Sequence, residues 1–262
     1  MTAEKPTRAC GRYVYGLGVM ALGLLCLVWG VFDPGQPVPP DFPDRTVLAH
    51  AAAMFMLAAG TAIAWRRTAA WGAAALAAYY TLIVVALMNG RVLLAHGTEF
   101  ITYSNLAEQL AIAAGGLVIC AASAGIDAAM AARLARVGRL AFGVCALLFG
   151  GAHFFYLNLT VPLVPRWLPP TQTFWAVATG VGQIAAGVAI LTGVQARLAA
   201  TLLTAMYASF TLLVWGPMLL VDSLQHWVWS ENALNLVLTG TAWVVADSLA
   251  GRGSNPGRIA PC

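Results

Sequence analysis

The run AAWGAAALAAYYTLIVVALM, residues 69–88, contains no charged side chain, and its only hydroxyls belong to Tyr79, Tyr80 and Thr81. At about 1.5 Å per residue, a helix of this length spans about 30 Å, the thickness of a bilayer's hydrocarbon core. Backbone polar groups in lipid must be satisfied internally, so a spanning segment is a helix or part of a closed barrel. A barrel strand alternates polar and apolar residues over about 10 positions. This run does not alternate, so it reads as a transmembrane helix.

Seven more apolar segments flank it, giving spans at 13–32, 46–64, 68–88, 105–123, 140–159, 173–191, 198–220 and 233–249. Hydrophobic residues make up 60% of the chain and charged residues 9%. Soluble domains carry roughly 25% charged residues, so this chain cannot coat a water-facing surface. The first segment follows Lys5, Arg8 and Arg12 as a signal peptide would. It is too long for a typical signal h-region and ends at Asp33-Pro34 without a small-residue cleavage site, so it reads as a retained span. Prolines crowd the first connection (Pro34 to Pro43) and the fifth (Pro162 to Pro170), which predicts two stiff exposed loops.

Charge sorting gives the orientation. With eight spans, one side collects Lys5, Arg8, Arg12, Arg66, Arg67, Arg133, Arg136, Arg139, Arg197, Arg252 and Arg258, leaving only Arg45, Arg91 and Arg166 opposite. Basic residues favour the cytoplasmic side, which places both termini in the cytoplasm of a multi-pass inner-membrane protein. The net charge of +4 follows from this sorting, and no nucleic-acid motif accompanies it. The bilayer is the partner that composition implies.

The chain also repeats. A gapless shift of 127 residues carries Gly11-Arg12 onto Gly138-Arg139, Gly16 onto Gly143, Gly23 onto Gly150 and Pro43 onto Pro170. It also carries Ala58-Ala59-Gly60 onto Ala185-Ala186-Gly187, Tyr80 onto Tyr207 and Asn105 onto Asn232. The expected organisation is two four-span units, residues 1–127 and 128–262, inserted in the same orientation as a parallel repeat. The repeated glycines read as faces where helices approach closely.

Ionisable residues inside spans are costly and mark candidate sites. His50 enters the second span from the outer side. His153 lies about 14 residues into the fifth span, roughly 21 Å from its inner end. Glu108 enters the fourth span from outside. These three share one expected depth, with Arg91, His96, Glu99, Asp222, His226, Trp227, Trp229 and Glu231 in the outer loops above them. The candidate ligand-binding set is His153, His50, Glu108, Arg91, His226 and Trp229, around a cavity that opens outward with His153 on its wall. A neutral imidazole can bond a carbonyl, and Arg and Trp can hold a planar head group, which suits a quinone or another amphiphile. The competing reading is structural: an intramembrane histidine often ties one helix to a neighbour's carbonyl. The tryptophans also fit an interfacial belt. Glu99 and His226 fall at equivalent repeat positions, where they could pair.

No Walker loop, dinucleotide fingerprint, HExxH or G-x-S-x-G occurs, so no catalytic motif and no tightly bound cofactor is evident. The five cysteines, Cys10, Cys26, Cys120, Cys145 and Cys262, form no C-x-x-C pair, which leaves no thiolate metal site.

The second half resembles the DoxX-like family of four-span membrane proteins. The resemblance rests on Arg139, on Gly150-Gly151-Ala152-His153-Phe154-Phe155 and on Val164-Pro165-Arg166-Trp167-Leu168-Pro169-Pro170. It continues through Ala178-Thr179-Gly180-Val181-Gly182-Gln183, Ala186-Gly187 and Arg197-Leu198-Ala199-Ala200. Gln183 stands where the family often has an acid, and Cys26 is the first half's counterpart of His153. The resemblance implies an all-α protein of two DoxX-like four-helix units. It also implies a quinone- or redox-linked membrane subunit with a membrane or redox protein partner. The rival expectations are a binder or carrier of a small lipophilic molecule, and a structural or assembly partner.

Overall fold

A computed structural model describes residues 6–250, with side chains from residue 10 onward. Lys5, Arg252, Arg258, Cys262 and the side chain of Arg8 lie outside the described residues. The long helices are α1 (Pro6–Trp29), α2 (Arg45–Ala64), α3 (Ala69–His96) and α4 (Phe100–Ser123). They continue with α5 (Ala128–Phe155), α6 (Gln172–Thr192), α7 (Ala196–Val221) and α8 (His226–Leu249). No strand occurs among the described residues.

Seven of these, α1 to α7, are long and apolar enough to cross a membrane, the architecture of a multi-pass membrane protein. The exception, α8, carries His226, Glu231, Asn232, Asn235 and Asp247. It also has 14 buried positions along its 24 residues, so protein rather than lipid surrounds much of it. A helix with little lipid contact does not need a continuous apolar surface, and hydropathy underrates it.

Several helices run past the apolar segments that announced them. Arg91 and His96 belong to α3, and His226, Trp227, Trp229 and Glu231 belong to α8, rather than to loops. Hydropathy marks only the lipid-facing stretch, whereas backbone hydrogen bonding carries a helix one or two polar turns further. The first proline-rich connection also departs from expectation. Phe32, Asp33 and Gln36 are buried at 6%, 6% and 2% exposure, so this loop folds into the protein.

Each helix packs on its sequence neighbours, and α1 packs on α8, so the eight form a ring. Across its middle α4 meets α8, with Tyr15 of α1 donating to the Ile112 carbonyl at 2.5 Å. One hydrophobic core contains residues of all eight helices, including Tyr15, Met56, Leu76, Ile112, Phe142, Ile190, Leu203 and Val237.

Two close approaches fix the pairing of α1 with α2 and of α5 with α6. A methyl group at Gly60 would stand 2.8 Å from the Gly16 carbonyl oxygen, and one at Gly187 would stand 2.8 Å from the Gly143 carbonyl oxygen. One step along, a methyl at Gly23 would meet the Ala53 oxygen at 2.8 Å, and one at Gly150 the Gly180 oxygen at 2.7 Å. Small residues here let the backbones touch.

Helices α3 and α7 each contain a π-helical segment, Tyr79–Asn89 and Thr211–Trp215. Their wide turns close with Gly90 N–H donating to the Val85 carbonyl, and Gly216 N–H to that of Thr211. In α7 the following Pro217 has no amide hydrogen with which to continue the ordinary ladder. In α3 the Asn89 side-chain amide bonds the Val84 carbonyl at 2.9 Å. Such bulges re-aim side chains and recur at functional sites.

Candidate functional site

A cavity of about 620 Å³ lies between α5, α6 and α7 beneath the second proline-rich connection. Its wall includes His153, Trp175, Thr179, Met206, Phe210 and Trp215. Helix α5 presents His153 where α6 comes close: the Cβ of His153 lies 2.7 Å from where a methyl at Gly180 would sit. The His153 Nδ1–H donates to the Ala176 carbonyl at 2.9 Å, with the Thr179 hydroxyl oxygen 3.3 Å away. The Gln183 amide lies 3.0 Å from Nε2 and donates to it. Both ring nitrogens of a neutral imidazole are therefore engaged by α6. The expected bond from His153 to a ligand carbonyl finds no free nitrogen.

Of the other polar groups on this wall, all but the Trp215 indole are also committed. Thr179 donates to Trp175 O at 2.7 Å, Ser209 to Met206 O at 2.7 Å and Thr160 to Leu157 O at 3.3 Å. The Trp175 indole donates to Pro169 O at 2.8 Å. The cavity thus offers aromatic faces and methyl groups, with few donors to spare.

A second apolar cavity, about 400 Å³, lies between α2, α3 and the first proline-rich connection. A shift of 127 residues relates much of its wall to the first. Leu48 corresponds to Trp175, Ala51 to Ala178, Ala52 to Thr179, Ile83 to Phe210, Leu87 to Val214 and Met88 to Trp215. The π-helical segments supply part of both walls. The two cavities end differently. Arg91, exposed and without a carboxylate partner among the described residues, lines the smaller one, where the larger has no charge.

Between the halves, where α1 ends and α4 and α8 begin, lies a polar junction. Asp33 is buried; its carboxylate accepts from the Gly35 amide at 2.9 Å and from the Ser230 hydroxyl. Burial pushes the Asp33 carboxyl above its ordinary value, against the opposing pull of the Ser230 hydroxyl, the Gly35 amide and His226. Glu108 of α4 and Glu231 of α8, both half-buried, are close enough to repel each other and Asp33. Gln36 joins from the loop, donating to the Tyr80 hydroxyl at 3.4 Å and accepting from Tyr79 at 3.3 Å.

The six sequence candidates therefore occupy separate places. His153 lines the larger cavity, and Arg91 the smaller. Glu108 lies at the junction, with His226 beside Asp33 and stacked on Trp29 at 4.8 Å between ring centroids. His50 is exposed on α2, bonding only its own helix at Thr46 O, 2.7 Å away. Trp229 donates to Ser223 O at 2.9 Å at the start of α8. Glu99 pairs with His96 at 3.0 Å rather than with His226, because the tight turn between α3 and α4 folds Glu99 back onto His96. Asp33 and Ser230 were missed. A loop aspartate between a span and a proline reads as solvated, and nothing in its spacing announces burial.

Fold and cavities together define a multi-pass α-helical membrane protein with intramembrane apolar cavities. Residues 142–223 match the model of a domain of unknown function, DUF8561, a stretch that includes every residue lining the larger cavity. No curated protein and no solved structure matches the chain.

Proposed function

We propose that this chain is an eight-span inner-membrane protein, built from two DoxX-like four-helix units with both termini in the cytoplasm, that binds a small lipophilic molecule by its hydrophobic portion. The observation that carries the binding reading is the cavity of about 620 Å³ whose wall donors, the Trp215 indole apart, are already bonded within the protein. Such a wall favours a chain or ring system that asks for no hydrogen bonds, such as an isoprenoid or acyl tail. A quinone meets this description through its tail, with its head group beyond the reach of His153.

The duplication is supported by the matched glycine approaches, the matched π-helical segments and the matched cavity walls. Counting α8 as the eighth span is supported by its length and by its place in the ring. The orientation rests on the basic residues, and a redox partner protein rests on the resemblance alone.

The test is native mass spectrometry of protein released from lipid nanodiscs, combined with thermal shift. A co-released lipophile is expected, with stabilisation that grows with the tail length of added quinone analogues. Absence of any co-released lipophile, together with a shift that ignores tail length, overturns the proposal.

A further inference from the structure

The junction of α1, α4 and α8 carries an observation that the apolar cavity does not use. Three carboxyl groups, Asp33, Glu108 and Glu231, lie within mutual electrostatic reach, and no lysine or arginine among the described residues pairs with them. The titratable groups facing Asp33 are His226 and Glu231 from α8, Glu108 from α4, Cys26 from α1, and Tyr79 and Tyr80 from α3. None of these is a fixed cation.

Polar atoms around the cluster are left without partners. Gln109, 1% exposed, has neither its amide nitrogen nor its amide oxygen hydrogen-bonded. That nitrogen presses against Gly35: a methyl there would lie 2.1 Å from it and 3.1 Å from Asp33 Oδ1. Gln109 is thus aimed into the Asp33 loop without bonding it. The Nε2 of His226 is likewise buried and unpartnered. Buried polar groups without partners are rare and mark the place of something that satisfies them.

The corresponding place in the other half carries no carboxyl group, although the Tyr207 hydroxyl there is also buried without a partner. Asn235, the counterpart of Glu108, donates to the Tyr207 carbonyl and to the Thr211 hydroxyl, each at 2.7 Å. A polar cavity of about 220 Å³, lined by Gly35, Asn89, His96, Glu99 and Asn105, adjoins the cluster through Gly35.

We infer that this junction is a proton-binding site, in which Asp33, Glu108 and Glu231 together retain at least one proton taken from water. Three carboxylates without a counter-cation in a largely water-excluding setting cannot all stay ionised. Uptake converts one carboxylate and a hydronium ion into a carboxylic acid and water. The buried Gln109 amide, held against Gly35 beside Asp33, is placed to bond the protonated group. The described residues contain no cluster of His, Cys, Asp and Glu arranged to hold a metal ion.

Infrared spectroscopy of the protein in nanodiscs at neutral pH tests this. A protonated-carboxyl stretch that shifts in heavy water is expected, falling about twofold or more in both Glu108→Gln and Glu231→Gln, because either change relieves the repulsion that retains the proton. Absence of the band, or a band indifferent to both variants, overturns the inference. So does a band seen only after removal of a stoichiometric metal cation found by elemental analysis. If the variants do not fold, the wild-type protein decides. Dicyclohexylcarbodiimide couples to protonated carboxyls in apolar surroundings, and peptide mapping should find it on Glu108 or Glu231 about tenfold above exposed Glu99. An adduct on neither overturns the inference.

Discussion

The two apolar cavities share much of their walls under the 127-residue shift, yet they differ in what stands at the end of each. Beside α5 a histidine is held by a threonine and a glutamine of α6, which engages both ring nitrogens at the larger cavity and leaves only the glutamine oxygen unpartnered. Beside α1 the position of His153 is taken by Cys26, and the smaller cavity carries the unpaired guanidinium of Arg91. On the duplication proposed above, one backbone frame offers an uncharged apolar chamber in one half and a chamber with a cationic end in the other. The lesson is that the frame sets the shape while a few polar positions set the chemistry.

The largest expected effect separates the chambers directly. Ala178→Trp should fill the larger cavity and lower co-released lipophile about tenfold, equivalent to about 1.4 kcal/mol. Ala51→Trp, at the matching position of the smaller cavity, should leave that lipophile in place. If Ala51→Trp empties the protein instead, the ranking of the chambers is reversed; native mass spectrometry reads both.

The shared frame can be broken in the same way. Gly60→Leu and Gly187→Leu should each cost about 1–3 kcal/mol through overpacking against a facing carbonyl. Unfolding in mild detergent should give similar losses for the two. A large loss in one and none in the other would end the correspondence of the helix pairs.

His153→Ala removes a tie between α5 and α6 and strands Gln183, which predicts a stability loss of about 1–3 kcal/mol. Lipophile retention should change little, since the ring nitrogens face α6. Loss of the lipophile with stability intact would make His153 a ligand contact after all.

Arg91→Ala should reduce any preference for anionic over neutral amphiphiles about two- to fivefold, an effect that salt weakens. Met218→Arg, at the matching position, should move that preference to the larger cavity. Competition between a fatty acid and its methyl ester would show it.

The smallest effect concerns pH. Asp33 has its carboxyl raised above the ordinary value by burial, so the folded protein binds the proton more tightly than the unfolded chain does. Its contribution therefore favours folding at low pH and is lost as pH rises from the ordinary carboxyl range through the raised value. Asp33→Asn should flatten this part of a melting-temperature profile, whereas Thr160→Ala, at the matching place, should not alter it. An unchanged slope in Asp33→Asn would remove Asp33 from the balance.

Much of the helical frame was legible, because residues such as those at 69–88 must face lipid and advertise it. Helix α8 was legible only as a shorter span: its start, His226 to Ser230, mixes His, Trp and Ser with a single valine and does not read as apolar. The glycine pairs were readable as small residues, although their facing carbonyls were not. The junction was hardly readable at all. Asp33 and Gln36 sit among prolines that predict an exposed loop, and burial there depends on α4 and α8, far away in sequence. His153 was found because a histidine in a span is rare; its engagement with Gln183 depends on the crossing of α5 over α6.

The ring has a consequence for ancestry. Helix α1 seals against α8 and α4 against α5, so each half leans on the other at both seams. On the duplication proposed above, two separate copies of one half could close the same ring as a symmetric dimer. Such a dimer would be obliged to carry every residue twice. Joining the copies through residues 124–127 lifts that obligation, and only then can one seam keep acids while its twin settles for asparagine.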